Sequence, residues 1–178
     1  MILFFKKVNL YFNTLKYLQF SQIIYRLKFF FPIFKNKITN LPIPNSRIKL
    51  NLTTDFLSYP RAIFSRKKFI FLNLESNEDI SSLWNSEKKS KLWLFNLHYF
   101  RDLSNITDDS QQELMETIFQ NWIEKNPLGL GVGWASPTLS IRIVNLIKWF
   151  LEKKMENPFF IKSLVHQIRY LEKKIEYH

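Results

Sequence analysis

The stretch DDSQQELMETIFQNWIEKNP, residues 108–127, decides the fold class of this chain. Asp108 followed three residues later by Gln111 resembles a capping box, in which the two side chains satisfy free amides at a helix start. Asn126 and Pro127 predict the end of the helix. Apolar residues recur on one stripe between these signals, which predicts a helix with one buried face: Leu114, Met115, Ile118, Phe119, Trp122 and Ile123.

Two more helices are predicted after this one. Ser136 followed by Pro137 suggests an N-cap with proline at the first helical position, and residues 138–153 are apolar around much of the helix. Pro158 precedes a last helix from about Phe160 to the end of the chain, with an apolar stripe at Ile161, Leu164, Val165, Ile168, Leu171 and Ile175. Helices joined by short connections are typical of antiparallel hairpins, so residues 90–178 are predicted to be helical hairpins and the chain mainly α.

Two segments with different patterns precede this block. Residues 1–46 are a basic lead-in, with a helical pattern over 8–31 that Pro32 ends. Residues 47–75 alternate between apolar and polar positions in Arg47–Leu52 and again in Lys68–Leu74. This alternation predicts a small two-stranded β element near residues 47–74.

Composition limits the possible classes of protein. A length of 178 residues suits one domain, and 46% hydrophobic residues permit a sizeable core. The absence of Cys excludes disulfides and thiolate chemistry. Neither a signal peptide nor a transmembrane segment is expected, so the default location is the cytoplasm, with the periplasm left open.

The positive charge is concentrated at the start of the chain. The net charge is +11, and residues 1–50 hold nine Lys or Arg and no acidic residue. A basic lobe of this kind suits nucleic acid, anionic lipid or an acidic polysaccharide, and charge alone does not choose among them.

The first candidate site lies within residues 92–100, LWLFNLHYF. Asn96, His98 and Tyr99 combine neutral hydrogen-bonding groups with an aromatic face, which suits a sugar ring. His98 also has the chemistry of a general base, although a single histidine is weak support for one. The alternative is that these residues belong to the core and bond to groups inside the protein.

The second candidate is Trp134, at the end of GLGVGW, residues 129–134. This segment matches neither the dinucleotide-binding nor the P-loop pattern, so no nucleotide cofactor is predicted. Its glycines are expected to permit positive φ angles in a tight loop between helices, with Trp134 at the surface or in a cleft.

The third candidate is the pair Arg142 and Asn145, three residues apart on a predicted helix. A guanidinium beside an amide would bind a carboxylate or a sulfate. Alternatively, Arg142 pairs with Glu113 or Glu116 of the preceding helix. The three histidines, at 98, 166 and 178, are too scattered for a metal site, and His166 is expected to have no special role.

These segments together resemble the amino-terminal domain of the heparinase II/III family, particularly bacterial members associated with surface polysaccharides. The most specific matches are Asn96–Phe100 and the block from Gly133 to Asn145. The sequence departs from the family around Ala135, where the family often has an acidic residue or a proline and this chain has Ala-Ser-Pro at 135–137. Further matches cover most of the chain, at residues 11–18, 22–27, 71–73, 92–95, 122–132 and 171–178.

The resemblance implies a partial α/α toroid, followed in the family by a β-sandwich, and cleavage of uronate-containing polysaccharide by β-elimination. In the family, a base removes the proton next to the carboxylate, Asn or His neutralises that carboxylate, and Tyr or His assists the leaving oxygen. The positions with these roles follow the segment matching Glu176–His178. The chain is therefore expected to be an amino-terminal fragment, residues 1–178, with no catalytic residue of its own and inactive alone.

The partners that the resemblance implies are an acidic polysaccharide and the missing carboxy-terminal part of the same enzyme, with no nucleic acid, metal or cofactor. The residues expected to line the sugar cleft are Asn96, His98, Tyr99, Trp134, Arg142 and Asn145. Two other function classes stay open: a non-catalytic carbohydrate- or polyanion-binding module, and a protein that binds nucleic acid or a membrane surface through its basic start.

Overall fold

A computed structural model describes residues 59–174 and, before them, single positions at 13, 16, 17, 19, 20, 24 and 42. The chain forms two compact units, one of residues 1–41 with 174–178 and the other of residues 42–173. Within the first unit, Asn13, Phe20 and Ile24 are helical. The expected strand Arg47–Leu52 and the third histidine, His178, lie outside the described residues.

The second unit contains a small antiparallel sheet and five α-helices among its described residues. The strands are β1 (Ile63–Ser65), β2 (Lys68–Phe71) and β3 (Leu74–Ser76). The helices are α1 (Ile80–Leu83), α2 (Lys91–Tyr99), α3 (Asp109–Lys125), α4 (Ser136–Glu152) and α5 (Pro158–Glu172). Short 3-10 segments occupy Arg101–Asn105 and Val132–Trp134.

The sheet differs from the predicted two-stranded element. It has three strands in the order β1-β2-β3, and the single strand expected over Lys68–Leu74 is broken by a turn. Leu72 and Asn73 have φ angles of 55° and 59°, as a two-residue hairpin turn of the mirror-image type requires. The alternation of apolar residues in the sequence runs through this turn, so it predicted one strand where the structure has two. The turn was not recognised because Leu72 takes a backbone conformation that is unusual for its residue type.

The sheet is fastened to the helices by one buried carboxylate. Asp102, in the first 3-10 segment, accepts hydrogen bonds from the backbone amides of Ala62 and Ile63, at 2.8 and 2.7 Å. On the face of the sheet that meets the helices, Phe71 packs edge-on against Trp93 of α2, with ring centroids 5.1 Å apart. These contacts place the end of β1 and one face of β2 against the helical core.

The expected boundaries of α3 are confirmed. The Asp108 carboxylate accepts a hydrogen bond from the Gln111 amide at 2.8 Å, and the helix ends with Asn126 as its C-cap. The return bond of the capping box reaches one residue further back, because Gln111 Oε1 accepts from the amide of Thr107 at 3.2 Å. Four of the six predicted stripe residues are fully buried: Met115, Ile118, Phe119 and Trp122.

The starts of the next two helices differ in one detail. Ala135, not Ser136, is the N-cap of α4, and its methyl side chain makes no capping hydrogen bond. Proline is tolerated throughout the first turn, so Pro137 did not identify the cap residue. In α5, Asn157 caps the helix by accepting from the Phe159 amide at 3.0 Å, and Pro158 is the first helical residue.

The core is built largely from aromatic rings of α2, α3 and α4. α2 packs against α4, and α4 packs against α5. Phe119 contacts four rings of the neighbouring elements and stacks on Trp122 of its own helix. The unit is thus mainly helical, whereas closure of these helices into a toroid stays a prediction. In the described part of the chain, no helix is long and apolar enough to cross a membrane.

Candidate functional site

The structure gathers most of the six predicted site residues in the interior. Asn96 is partly exposed, and its amide donates to Leu92 O of the preceding turn at 2.8 Å. The other five are buried: His98, Tyr99, Trp134, Arg142 and Asn145. Four of these side chains make hydrogen bonds to other parts of the protein: His98, Trp134, Arg142 and Asn145. The five side chains therefore belong to the protein interior and support the surface in front of them.

His98 has both ring nitrogens engaged. Nε2 donates to Trp84 O at 2.7 Å, and Nδ1 accepts from the Trp122 indole at 2.9 Å. Because a carbonyl can only accept and an indole N–H can only donate, these bonds select the neutral tautomer with its proton on Nε2. Burial, reinforced by the charge of Arg142, lowers the pKa of His98 from 6.5 to about 3. His98 is therefore a neutral connector between α2, α3 and the turn after α1.

Arg142 is buried without a carboxylate partner among the described residues. Its Nε donates to Gln167 Oε1 at 2.7 Å and its Nη1 to His98 O at 3.3 Å. The guanidinium carbon lies 4.0 Å from the centre of the Trp122 ring, within the range of a cation–π interaction. Burial lowers the pKa of Arg142 to about 9, so the group stays charged at neutral pH.

The expected partners of Arg142 are thus replaced by neutral groups. Glu113 and Glu116 do not pair with it, and the expected clamp with Asn145 does not form. Asn145 instead donates to Tyr99 O at 2.8 Å, which ties α4 to the end of α2. Neutral acceptors and an aromatic face can hold a guanidinium because they compensate part of the cost of removing it from water.

The glycine-rich loop, residues 129–134, brings Trp134 against the buried network of contacts made by His98 and Arg142. Gly129 and Gly131 have positive φ angles of 79° and 80°, as expected for a tight loop. Gly133 is needed for a different reason, since a Cβ atom there would lie 2.7 Å from His98 Nδ1. The Trp134 indole donates to Asn126 O at 3.2 Å, and Arg142 lies 5.9 Å from the ring centre. Trp134 is therefore held in place by the residues behind it.

Gly133→Ala is expected to lower the free energy of unfolding by about 2 kcal/mol, because the added methyl overlaps a packed ring. Urea unfolding of both proteins measures the change. In a His98→Ala background the same substitution should cost much less, since the ring that it meets is gone. An equal cost in both backgrounds would contradict the predicted contact.

A solvent-open cleft of about 210 Å³ lies directly in front of the two tryptophans. Trp122 and Trp134 form part of its wall, so the network of His98 and Arg142 lies behind that wall. The rest of the lining comes from the end of α3, the loop after it and the first turns of α5: Ile123, Asn126, Pro127, Leu128, Phe159, Lys162, Ser163 and His166. The cleft therefore combines aromatic walls with cationic or protonatable side chains.

Trp134 was predicted from the sequence as a site residue, whereas the α5 residues of this lining were not. Phe159, Lys162 and His166 follow each other at steps of three and four residues, which places them on one face of a helix. That spacing was visible in the sequence, whereas the tryptophans opposite are supplied by a distant segment. Among the described residues, no group of three or more His, Cys, Asp or Glu side chains is placed to hold a metal ion.

Compared with known protein families, with curated proteins and with solved structures, the chain has no match.

Proposed function

We propose that this chain is part of a heparinase II/III-like polysaccharide lyase and binds acidic, uronate-containing polysaccharide. The observation that carries the binding proposal is the cleft beside Trp134, whose wall includes Phe159 and Lys162. The proposed chemistry of β-elimination rests on the sequence resemblance alone.

The side chains of the cleft suit an anionic sugar. An aromatic face packs well against the C–H surface of a pyranose ring, and Phe159 is 45% exposed. The Lys162 ammonium offers a charge for a carboxylate, and the Ser163 hydroxyl retains a proton to donate to a sugar oxygen. Within the described part of the chain, the lining contains no carboxylate that would repel such a ligand.

The buried candidate residues have a positioning role in this proposal. His98 and Arg142 hold Trp122, and the loop at Gly133 holds Trp134. An aromatic wall kept in one orientation by several contacts loses little freedom when a ligand binds, which favours affinity. Direct contact with the sugar is therefore assigned to the residues that line the cleft. Of the six residues predicted from the sequence, Trp134 belongs to this lining.

Phe159→Ala is expected to weaken binding of oligogalacturonate about fivefold, which corresponds to a loss of about 1 kcal/mol. Phe64→Ala is the matched control, because Phe64 is also exposed, at 39%, but lies on β1 outside the cleft. Isothermal titration calorimetry measures both affinities. Equal losses in the two variants, or no binding of uronate oligomers by the wild type, would contradict the proposal.

Catalysis is tested in the same samples by following the absorbance of the unsaturated uronate that β-elimination produces. Product formation would show that the chain itself supplies the reacting groups. Binding without product would indicate that the chain binds the polysaccharide and does not cleave it by itself.

A further inference from the structure

Lys162 and His166 lie one turn apart on α5, and both line the cleft. Residues four apart share a helix face, so their two head groups can approach one ligand group together. In the part of the chain that the structure describes, the other elements around the cleft contribute uncharged side chains: Trp122, Ile123, Asn126, Pro127, Leu128 and Trp134. An anion in this cleft would therefore find its positive charge on α5.

His166 is half-buried and lies near two positive charges of its own helix. Burial is the first cause that lowers its pKa, followed by the charges of Lys162 and Arg169 on the same helix. Tyr170, one turn further along α5, packs its ring edge-on against Trp134, with ring centroids 5.0 Å apart. Near neutral pH and without a bound anion, the imidazole is thus uncharged and lies one turn from the Lys162 ammonium.

The size of the cleft restricts the ligand. Its volume of about 210 Å³ is smaller than the roughly 300 Å³ at which pockets for drug-sized ligands begin. One sugar ring with its carboxylate therefore suits it better than a longer segment. The remainder of a polymer would extend from the open side into solvent.

We infer that the cleft holds one uronate unit with its carboxylate between Lys162 and His166, and that the imidazole takes up a proton as this anion binds. The inference rests on the proposed function and adds to it the position of the carboxylate and a linkage to pH. The carboxylate contributes a negative charge beside the imidazole and so favours the imidazolium. The proton comes from solvent, and no covalent bond of the sugar changes.

The direction of the linkage follows from the two states of His166. Its pKa is higher in the complex than in the free protein, so affinity increases as the pH falls from the pKa of the complex to that of the free protein. Between those two values affinity changes by up to about tenfold per pH unit, and outside them it is constant.

The test measures binding of oligogalacturonate between about pH 5 and about pH 8, the range in which histidine titrates in proteins. We expect the wild type to bind more tightly at the acid end. We also expect net proton uptake, seen as a dependence of the binding enthalpy on the ionisation enthalpy of the buffer. His166→Gln should bind with little dependence on pH, because an amide does not titrate. Near-ultraviolet circular dichroism at each pH confirms that both proteins stay folded.

Two charge variants separate this site from general attraction of an anion. Lys162→Gln should lose affinity at every pH, whereas Lys67→Gln, an exposed lysine between β1 and β2, should change it little. Methyl-esterified oligogalacturonate, which has no carboxylate charge, should bind weakly and without proton uptake. An NMR titration of the His166 imidazole gives a second measurement in the unaltered protein, since its pKa should rise when oligogalacturonate is added.

The possible failures are distinguishable. Binding that is independent of pH in the wild type, or that keeps its pH dependence in His166→Gln, would overturn this inference and leave the proposed function standing. No binding of oligogalacturonate at any pH would overturn both. Equal binding of the methyl ester would overturn the placement of the carboxylate while retaining a carbohydrate site.

Discussion

His98→Ala is expected to lower the free energy of unfolding by about 4 kcal/mol. The substitution removes a fully buried ring and leaves a cavity among Trp84, Trp122 and Gly133. It also leaves the Trp122 indole N–H without its acceptor and Trp84 O without its donor, and each buried group without a partner adds to the cost. Urea unfolding followed by tryptophan fluorescence measures the change.

Asn96→Ala is the matched control on the same helix. Asn96 lies two residues earlier on α2 and is partly exposed, and among the described residues its side chain bonds to Leu92 O one turn before it. We expect its replacement to change the free energy of unfolding by about 0.5 kcal/mol or less. A similar loss of stability in both variants would show that His98 does not connect the helices as the structure indicates.

The helices were the part of the fold that sequence patterns described best. Asp108 and Gln111 predicted the start of α3 because capping is local, and its apolar stripe matched the buried face. The hairpin turn at Leu72 and Asn73 was missed, because neither residue is typical of positive φ and the alternation of apolar positions continued through it. Local signals thus located the elements, except where the backbone conformation contradicted the usual preference of a residue.

The buried face of α5 shows what local patterns cannot supply. The apolar stripe predicted Ile168 inside, yet Ile168 is 41% exposed and Gln167 is fully buried. Gln167 lies inside because Arg142, 25 residues earlier, donates a hydrogen bond to it. A polar residue is inward when a distant partner satisfies it, and that partner is known only once the helices are packed.

The roles of the candidate site residues also depend on how the helices pack. Polar residues within apolar helices drew attention to His98, Arg142 and Asn145, but the patterns did not distinguish binding to a ligand from binding to the protein interior. The partners that decide this come from other elements: Trp122 from α3, Gln167 from α5 and Trp84 from the turn after α1. Conversely, Lys162 and His166 became candidates only when the tryptophans opposite them were in place.

Acid is expected to destabilise the protein through His98, by roughly 3 kcal/mol between about pH 6.5 and about pH 4. The pKa of His98 is lowered to about 3 in the folded protein, whereas in the unfolded chain it is near the ordinary value of 6.5. Between these values the unfolded chain binds a proton at His98 and the folded protein does not. The free energy of the unfolded chain therefore falls relative to that of the folded protein. The resulting slope is about 1.4 kcal/mol per pH unit, and the contribution is constant above pH 6.5.

His98→Gln is the variant that isolates this effect. A glutamine amide can donate to Trp84 O and accept from the Trp122 indole, but it does not titrate. Burial raises the pKa of Asp102, which acts in the opposite direction because the folded protein then binds the proton more readily. This contribution, and that of His166, is present in both proteins and cancels in their difference. We therefore expect the free energy of unfolding of the wild type to decrease steadily relative to that of His98→Gln as the pH falls. A difference that does not change with pH would mean that His98 is protonated in the folded protein, in conflict with its two hydrogen bonds.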